Sequence, residues 1–219
     1  AFRLDQRLEE FASFKSDAKV ILVLRRHDRW IASHYRRYVK NGGSLSFDKY
    51  VDLDSDSPLI WDKKKMSFFP MIQKIENRFN SKPLVLFHEN LQNDPFNLID
   101  QLCSFTGATY QRGRIDLSVV HRSWSDKQLK FSKVVGRYLF SEVPKAHPHA
   151  GFNRIQRRLK LWACYAILGV ARLIPERLLG DAPLIPPEDL EQIRRTFSDD
   201  WQACQQYAEI NNPKLDTAR

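Results

Sequence analysis

The sequence predicts an α/β fold in which helices cover a parallel sheet. Two runs of consecutive apolar residues, 20–24 and 84–87, are typical of strands buried on both faces of a sheet. The long segment between them carries helical spacing, and strands joined by helical crossovers pair in parallel. Two strands are too few for a stable sheet of this kind, so we expect a further central strand from a segment upstream of Ala1.

The helices are predicted from the spacing of apolar residues and from start and stop signals. Residues 41–43, Asn-Gly-Gly, predict the end of one helix. Asp94, Pro95 and Gly107 suit the N-cap, the first position and the C-cap of another helix, and Ser125 suits the cap of a third. The predicted helices span residues 2–14, 30–40, 46–50, 69–79, 95–105, 125–140, 152–179 and 187–209, with a loop or linker at 144–151 and no assignment at 59–65.

The composition is that of one ordinary globular domain. The chain has 219 residues, of which 42% are hydrophobic and 28% charged. Its three cysteines lie far apart with no CxxC pair, which favours a reducing compartment and predicts a cytoplasmic location. His147 and His149 have no cysteine neighbours at the ligand spacing of a zinc site, so we predict no metal.

The positive charge is concentrated between residues 120 and 180, a segment that contains twelve Lys and Arg but three Asp and Glu. The excess of nine equals the net charge of the whole chain, +9, and indicates either an acidic partner or a solvated basic face. No nucleic-acid recognition module is visible, so nucleic acid is not a predicted partner. The apolar stretch 159–179 is too short to span a bilayer before Arg172. It predicts either a buried helix or an amphipathic helix in peripheral contact with an anionic membrane, with nearby basic residues at its edge (Arg154, Arg157, Arg158 and Lys160).

The end of the first strand has the residues of an anion site. Arg25 directly follows strand 20–24, and Ser33 lies eight residues later, in the first turn of the helix predicted to begin near Trp30. A helix that starts after a strand end offers free backbone N–H groups and a positive dipole end to an anion. Because Arg adds a planar fork of donors and Ser one more, this element predicts a phosphate-bearing ligand. In the alternative interpretation, Arg25 forms a surface ion pair with Asp28 and Ser33 is an ordinary helix residue.

A second strand, 84–87, ends in His88-Glu89-Asn90-Leu91, and the helix behind it ends in Phe105-Thr106-Gly107. Together with Arg25 and Ser33, and in this order, these motifs resemble the sulfotransferases that use 3′-phosphoadenosine 5′-phosphosulfate (PAPS), and more narrowly their bacterial branch. The resemblance covers roughly residues 2–125 and is weaker over 187–209. It implies a P-loop NTPase-like, three-layer fold and one sulfotransferase-like domain over 1–219. Residues 1–125 would form its nucleotide-binding part and 126–219 its helix-rich part.

The resemblance also implies roles for individual residues. Arg25 and Ser33 would bind the 3′-phosphate of PAPS, and His88 stands where the family often has a Tyr near the adenine, although a purely structural His88 is equally open. Glu89 is expected to stabilise the strand end and the neighbouring turn. The implied reaction moves a sulfuryl group from PAPS to a hydroxyl or amine of a small-molecule or carbohydrate acceptor, without a metal, and releases adenosine 3′,5′-bisphosphate. His27 and His34 match no catalytic position of the family, so no catalytic residue is predicted.

One family element has no counterpart in the sequence. No Gly-Lys-Ser/Thr-like phosphate loop precedes Val20, and the chain begins with Ala1. We therefore expect a fragment that lacks the N-terminal strand and loop and is inactive by itself; the alternative is a protein that truly lacks the loop. Two other functions stay open: a non-catalytic basic α/β domain that binds anionic glycans or membranes, and a P-loop kinase relative that uses ATP.

Overall fold

The chain is α/β and helix-rich, with a small parallel sheet. The computed structural model describes residues 2–55, 57–118, 123–140 and 150–214. For residues 2–4, 150–155 and 157 it describes the backbone. The polypeptide divides into two compact units that alternate along the sequence. The first unit comprises Ala1–His27, Lys64–Val120 and Arg194–Arg219, and the second comprises Asp28–Lys63 and His121–Ile193.

The elements follow the predicted order, with several short additions. The described α-helices are α1 (Phe2–Phe14), α2 (His27–Lys40), α3 (Phe47–Tyr50), α4 (Phe69–Glu76), α5 (His88–Asn93), α6 (Pro95–Thr106), α7 (Asp126–Leu139), α8 (Ala150–Val170), α9 (Pro187–Thr196) and α10 (Ser198–Asn211). The strands are β1 (Ile21–Leu24), β2 (Val51–Asp52), β3 (Trp61–Asp62) and β4 (Leu84–Phe87). Single 3₁₀ turns occupy Lys63–Lys65, Arg112–Arg114 and Glu176–Leu178.

The main sheet lies in the first unit and pairs β1 with β4 in parallel, which confirms the predicted orientation. The register runs from Ile21 opposite Leu84 to Leu24 opposite Phe87. Strand β4 is buried along most of its length, but β1 is not buried on both faces as predicted, because Ile21 is 37% and Val23 60% exposed. Side chains two residues apart point to the same face of a strand, so one whole face of β1 is accessible.

Several helix boundaries differ from the predicted ones. Helix α8 ends at Val170 in a tighter turn, where the N–H groups of Arg172 and Leu173 donate to the C=O groups of Gly169 and Val170, three residues back. Pro175 then prevents the helix from resuming through the predicted end at 179. The predicted helix 187–209 is broken at Phe197 into α9 and α10. The backbone of Phe197 leaves helical geometry, with φ −110° and ψ 17°, while its ring is buried. Residues 88–93 form the extra short helix α5, which has no apolar periodicity in the sequence. The predicted loop at 144–151 falls outside the described residues up to 149, and Ala150 and Gly151 belong to α8.

In the second unit, a glycine turn after α2 allows α7 to approach closely. Gly42 has φ +85°, the left-handed geometry that ends a helix, which confirms the predicted stop. A Cβ atom built on Gly136 of α7 would lie 2.9 Å from the backbone oxygen of Gly42. The predicted cap of α7 is also confirmed, because Ser125 and Gln128 form a reciprocal capping box. The absence of a side chain at Gly136 therefore sets how closely α7 packs against this turn.

We expect Gly136→Ala to lower the free energy of unfolding by about 1–3 kcal/mol, because the new methyl group meets backbone that cannot rotate away. The matched control is Gly169→Ala in α8, where an added Cβ meets nothing within 4 Å. That variant should gain up to about 1 kcal/mol from helix propensity. Urea unfolding followed by circular dichroism measures both, and effects of the same sign would contradict the packing argument.

Candidate functional site

The parallel pairing brings polar residues of two distant segments to one edge of the sheet. Because Leu24 lies opposite Phe87, the residues that follow each strand, Arg25 and His88, leave from the same edge. The backbone N–H of Arg26 donates to Glu89 Oε1 at 3.2 Å and ties the two strand ends together. This contact confirms the stabilising role expected of Glu89. The carboxyl edge of a parallel sheet is also where α/β proteins bind ligands.

Arg25 has an unused hydrogen-bond donor at this edge. The residue is half-buried, and its Nε is shielded from water with no hydrogen-bond partner in the described part of the chain. The second carboxylate oxygen of Glu89, Oε2, is also buried and accepts no hydrogen bond from a donor among the described residues. Leaving a buried polar atom unpaired costs about 1–3 kcal/mol, so the Nε of Arg25 and Oε2 of Glu89 need an explanation, and a group bound at this edge would supply one.

Ser33 lies further into its helix than the sequence predicts. Helix α2 begins at His27, not near Trp30, so Ser33 is in the second turn and the prediction of a first-turn residue is wrong. Its N–H therefore lies within the helical hydrogen-bond ladder, and only its exposed hydroxyl is available to a ligand. The early start has a physical reason, since Asp28 in the first turn interacts favourably with the helix dipole. Arg25 and His88 belong to the first unit and Ser33 to the second.

His88 is half-buried and is the first residue of α5. His88 thus directly follows β4 and begins α5 instead of extending the strand. Its position beside the end of β1 suits contact with a ligand at the sheet edge. Its half-buried state is equally compatible with a packing role, so both interpretations made from the sequence stand.

A buried histidine directly after the two arginines organises the first unit. His27 is 1% exposed and lies between the rings of Phe68 and Phe197, with centroid distances of 4.2 and 4.6 Å. Its Nε2 lies 3.1 Å from Asp200 Oδ2. Asp200 also accepts the backbone N–H groups of Phe68 and Phe69, at 2.8 and 3.1 Å. Because the imidazole is enclosed, His27 anchors the chain at the end of β1 and does not contact a substrate.

Asp200 is charged at neutral pH although it is largely buried. Burial alone raises the pKa of its carboxyl, but the His27 ring and the N–H groups of Phe68 and Phe69 stabilise the anion more strongly. The net pKa is lowered below the ordinary value of an aspartic acid. Sequence reasoning missed this anchor because its partners are far apart along the chain and none forms a local motif.

A cavity of about 530 Å³ lies in the first unit along the edge of β4 that faces away from β1. The side-chain amide of Asn212 pairs with this edge, donating to Val85 C=O at 2.7 Å and accepting Val85 N–H at 3.1 Å. The cavity wall combines aromatic rings with amide, acidic and basic groups, among them Phe87, Trp201, Asn90, Gln101, Gln205, Glu89, Glu209, Arg26 and Lys214. Such a lining suits a polar ligand with many hydroxyl groups better than an apolar one.

A second cavity, of about 250 Å³, lies in the second unit and is acidic. Four aspartates line it (Asp48, Asp52, Asp54 and Asp189), together with apolar groups from α3 and α9. Burial raises the pKa of Asp189, and the neighbouring charges of Glu188 and Asp48 raise it further. Across the described ranges, no group of three or more His, Cys, Asp or Glu residues is arranged to hold a metal ion.

We expect Asp200→Asn to lower the free energy of unfolding by about 1–3 kcal/mol at neutral pH. The amide retains one acceptor oxygen but turns an NH₂ group toward donors that need an acceptor. Because the folded pKa of Asp200 is lowered, its carboxylate stabilises the fold above the ordinary pKa near 3.8, and this contribution disappears as the pH falls through the lowered value.

Urea unfolding at several pH values checks this expectation. The difference between the wild type and Asp200→Asn should shrink as the pH drops below the ordinary pKa of the carboxyl. Asp199→Asn is the control, since Asp199 is the exposed neighbour on the same helix and should change stability little. A pH-independent difference would contradict the anchoring role of the Asp200 charge.

Comparison of the chain with protein-family models, with curated proteins and with solved structures finds no match. The resemblance to PAPS-dependent sulfotransferases therefore rests on the sequence motifs around Arg25 and Glu89. The geometry of the strand ends is an independent observation, since it comes from the pairing of β1 with β4.

Proposed function

We propose that this chain is part of a PAPS-dependent sulfotransferase, an enzyme that transfers a sulfuryl group from PAPS to a hydroxyl or amine acceptor. The observation that carries the proposal is the buried Nε of Arg25, which has no partner within the described ranges and sits at the carboxyl edge of a parallel sheet. A guanidinium with an unused donor at this position suits the planar, bidentate recognition of a phosphate.

Arg25 would hold the 3′-phosphate, and His88 would contact the adenine from the adjoining strand end. The family resemblance implies that the Ser33 hydroxyl binds the 3′-phosphate as well. PAPS supplies the sulfuryl group and a phosphate leaving group, whose charge must be stabilised as transfer proceeds. The chain's own contribution is to fix the nucleotide so that the acceptor oxygen or nitrogen can approach in line. Glu89 keeps the two strand ends in register through Arg26 and takes no proton in this scheme.

The proposal includes the P-loop NTPase-like, three-layer architecture and a cytoplasmic location. Parallel pairing of β1 with β4 and the intervening helices support the architecture. The exposed face of β1 is what a larger sheet with a second helical layer would cover. The location is supported by the cysteines, because Cys103, Cys164 and Cys204 are all free.

The acceptor in this proposal is a small polyhydroxylated molecule or a carbohydrate. The cavity beside β4 supports that class, because its wall offers amide groups such as Gln101 and Gln205, which both donate and accept hydrogen bonds. Trp201 adds a flat apolar ring of the kind that packs against a sugar. Arg26 and Glu89 line the same cavity and connect it to the strand ends.

Isothermal titration of the full-length protein with adenosine 3′,5′-bisphosphate tests the nucleotide site. We expect Arg25→Ala to weaken binding roughly ten- to a hundredfold, since a hydrogen-bonded charge pair contributes about 1.5–3 kcal/mol. Ser33→Ala should cost about five- to tenfold. The matched control is Arg7→Ala, which removes the same charge from an exposed position on α1 and should leave affinity unchanged.

Adenosine 5′-phosphate is the control ligand, because it lacks the 3′-phosphate and its affinity should not respond to Arg25→Ala. Tighter binding of ATP than of the bisphosphate would favour the kinase interpretation. Absence of binding to any of these nucleotides, with retention on a sulfated polysaccharide, would favour a non-catalytic basic domain. Equal sensitivity of both adenosine phosphates to Arg25→Ala would contradict recognition of the 3′-phosphate.

A further inference from the structure

From Leu159 to Val170, helix α8 of the second unit is apolar on its outer face as well as on its inner face. Cys164 and Leu168 point inward and are 2% and 0% exposed. On the opposite side, Leu159, Trp162 and Val170 are 64%, 77% and 50% exposed. Their spacing of three to eight residues places them on one side of a 3.6-residue helix. A helix that is apolar all round is normally enclosed, so the exposed stripe of α8 lacks the environment that its composition requires.

The stripe continues into the segment that follows the helix. Leu173 and Leu178 are 83% and 70% exposed, and they follow the last residue of α8, Val170, in the next turns of the chain. Exposed basic side chains flank the apolar ones at each end, with Arg158 before Leu159 and Arg172 and Arg177 next to the two leucines. Helix α8 itself contains no acidic residue. The surface therefore combines large apolar side chains with positive charge.

We propose that the outer face of α8, together with the turn that follows it, lies on an anionic lipid bilayer. This inference is independent of the proposed sulfuryl transfer. Among the described residues no helix is long and apolar enough to cross a membrane, so α8 would lie in the plane of the interface. Trp162 would sit at the headgroup level with Leu159 and Leu173 in the outer acyl region, where both ring and alkyl surface leave water.

Charge favours a lipid surface over a second copy of this chain as the occupant. Residues 120–180 carry twelve Lys and Arg against three Asp and Glu. Among them, the exposed Arg158, Arg172 and Arg177 would face the negative potential of anionic headgroups. Long Arg side chains such as Arg158 and Arg172 can lay their alkyl stems along the interface and keep their guanidinium groups among phosphates. A second copy of this chain would present the same positive charge and would repel it.

Co-sedimentation with phosphatidylcholine vesicles, with and without a minority of phosphatidylserine, tests the proposal on the full-length protein. We expect binding to the anionic vesicles, roughly tenfold or more weaker binding to the neutral ones, and a decrease with added salt. The variant Trp162→Gln/Leu173→Gln should lose roughly tenfold or more in partitioning. The variant Arg158→Gln/Arg172→Gln should lose about ten- to thirtyfold on anionic vesicles only.

The matched control is Ile210→Gln on α10, which removes an apolar side chain of similar exposure, 75%, from the first unit. It should bind vesicles as the wild type does, and circular dichroism should show all variants folded because every altered side chain is already exposed. No binding of the wild type, equal binding to neutral vesicles, or unchanged binding of Trp162→Gln/Leu173→Gln would overturn the proposal. Conversion of a wild-type dimer to a monomer by that variant, measured by light scattering, would overturn it in favour of a contact between copies.

Discussion

The first unit depends on the contact between His27 and Asp200. The imidazole closes the turn after β1, and its two faces pack on the rings of Phe68 and Phe197. The carboxylate of Asp200 also accepts the backbone N–H groups of Phe68 and Phe69 at the start of α4. One side chain of α10 thus holds the start of α2 and satisfies the N-terminus of α4, which has no side-chain cap of its own. Three segments that are far apart in sequence converge on this single pair.

The same anchor helps to fix the turn that carries Arg25. The residues on either side of it are fixed, by β-pairing of Leu24 and by the enclosure of His27. The Arg26 N–H held by Glu89 restrains the same turn from the neighbouring strand. These restraints fix the backbone at Arg25, so its side chain starts from a defined position at the sheet edge. Such preorganisation is what tight anion recognition requires.

Local features of the fold were predictable from the sequence, and long-range ones were not. The capping box at Ser125 and the left-handed glycine at Gly42 are set by residues next to each other, and the structure confirms both. The start of α2 differs from the prediction because two causes act together: Asp28 favours the first turn locally, and aromatic residues from two distant segments bury His27. The exposure of Val23 was missed for a similar reason, since an apolar run shows a preference for burial but not what covers it. At the candidate site, Arg25, His88 and Glu89 could be identified, whereas the Asp200 anchor left no local signal.

The amide of Asn212 makes the two sides of the sheet unequal. By pairing with both Val85 N–H and Val85 C=O, it occupies the backbone groups through which β4 would bond to another strand. An unpaired strand edge is a template for self-association and amyloid-like stacking, and natural proteins block such edges with side chains or loops. Here the block is one neutral side chain at the end of α10, so losing that amide would open Val85 of β4 to pairing with another strand.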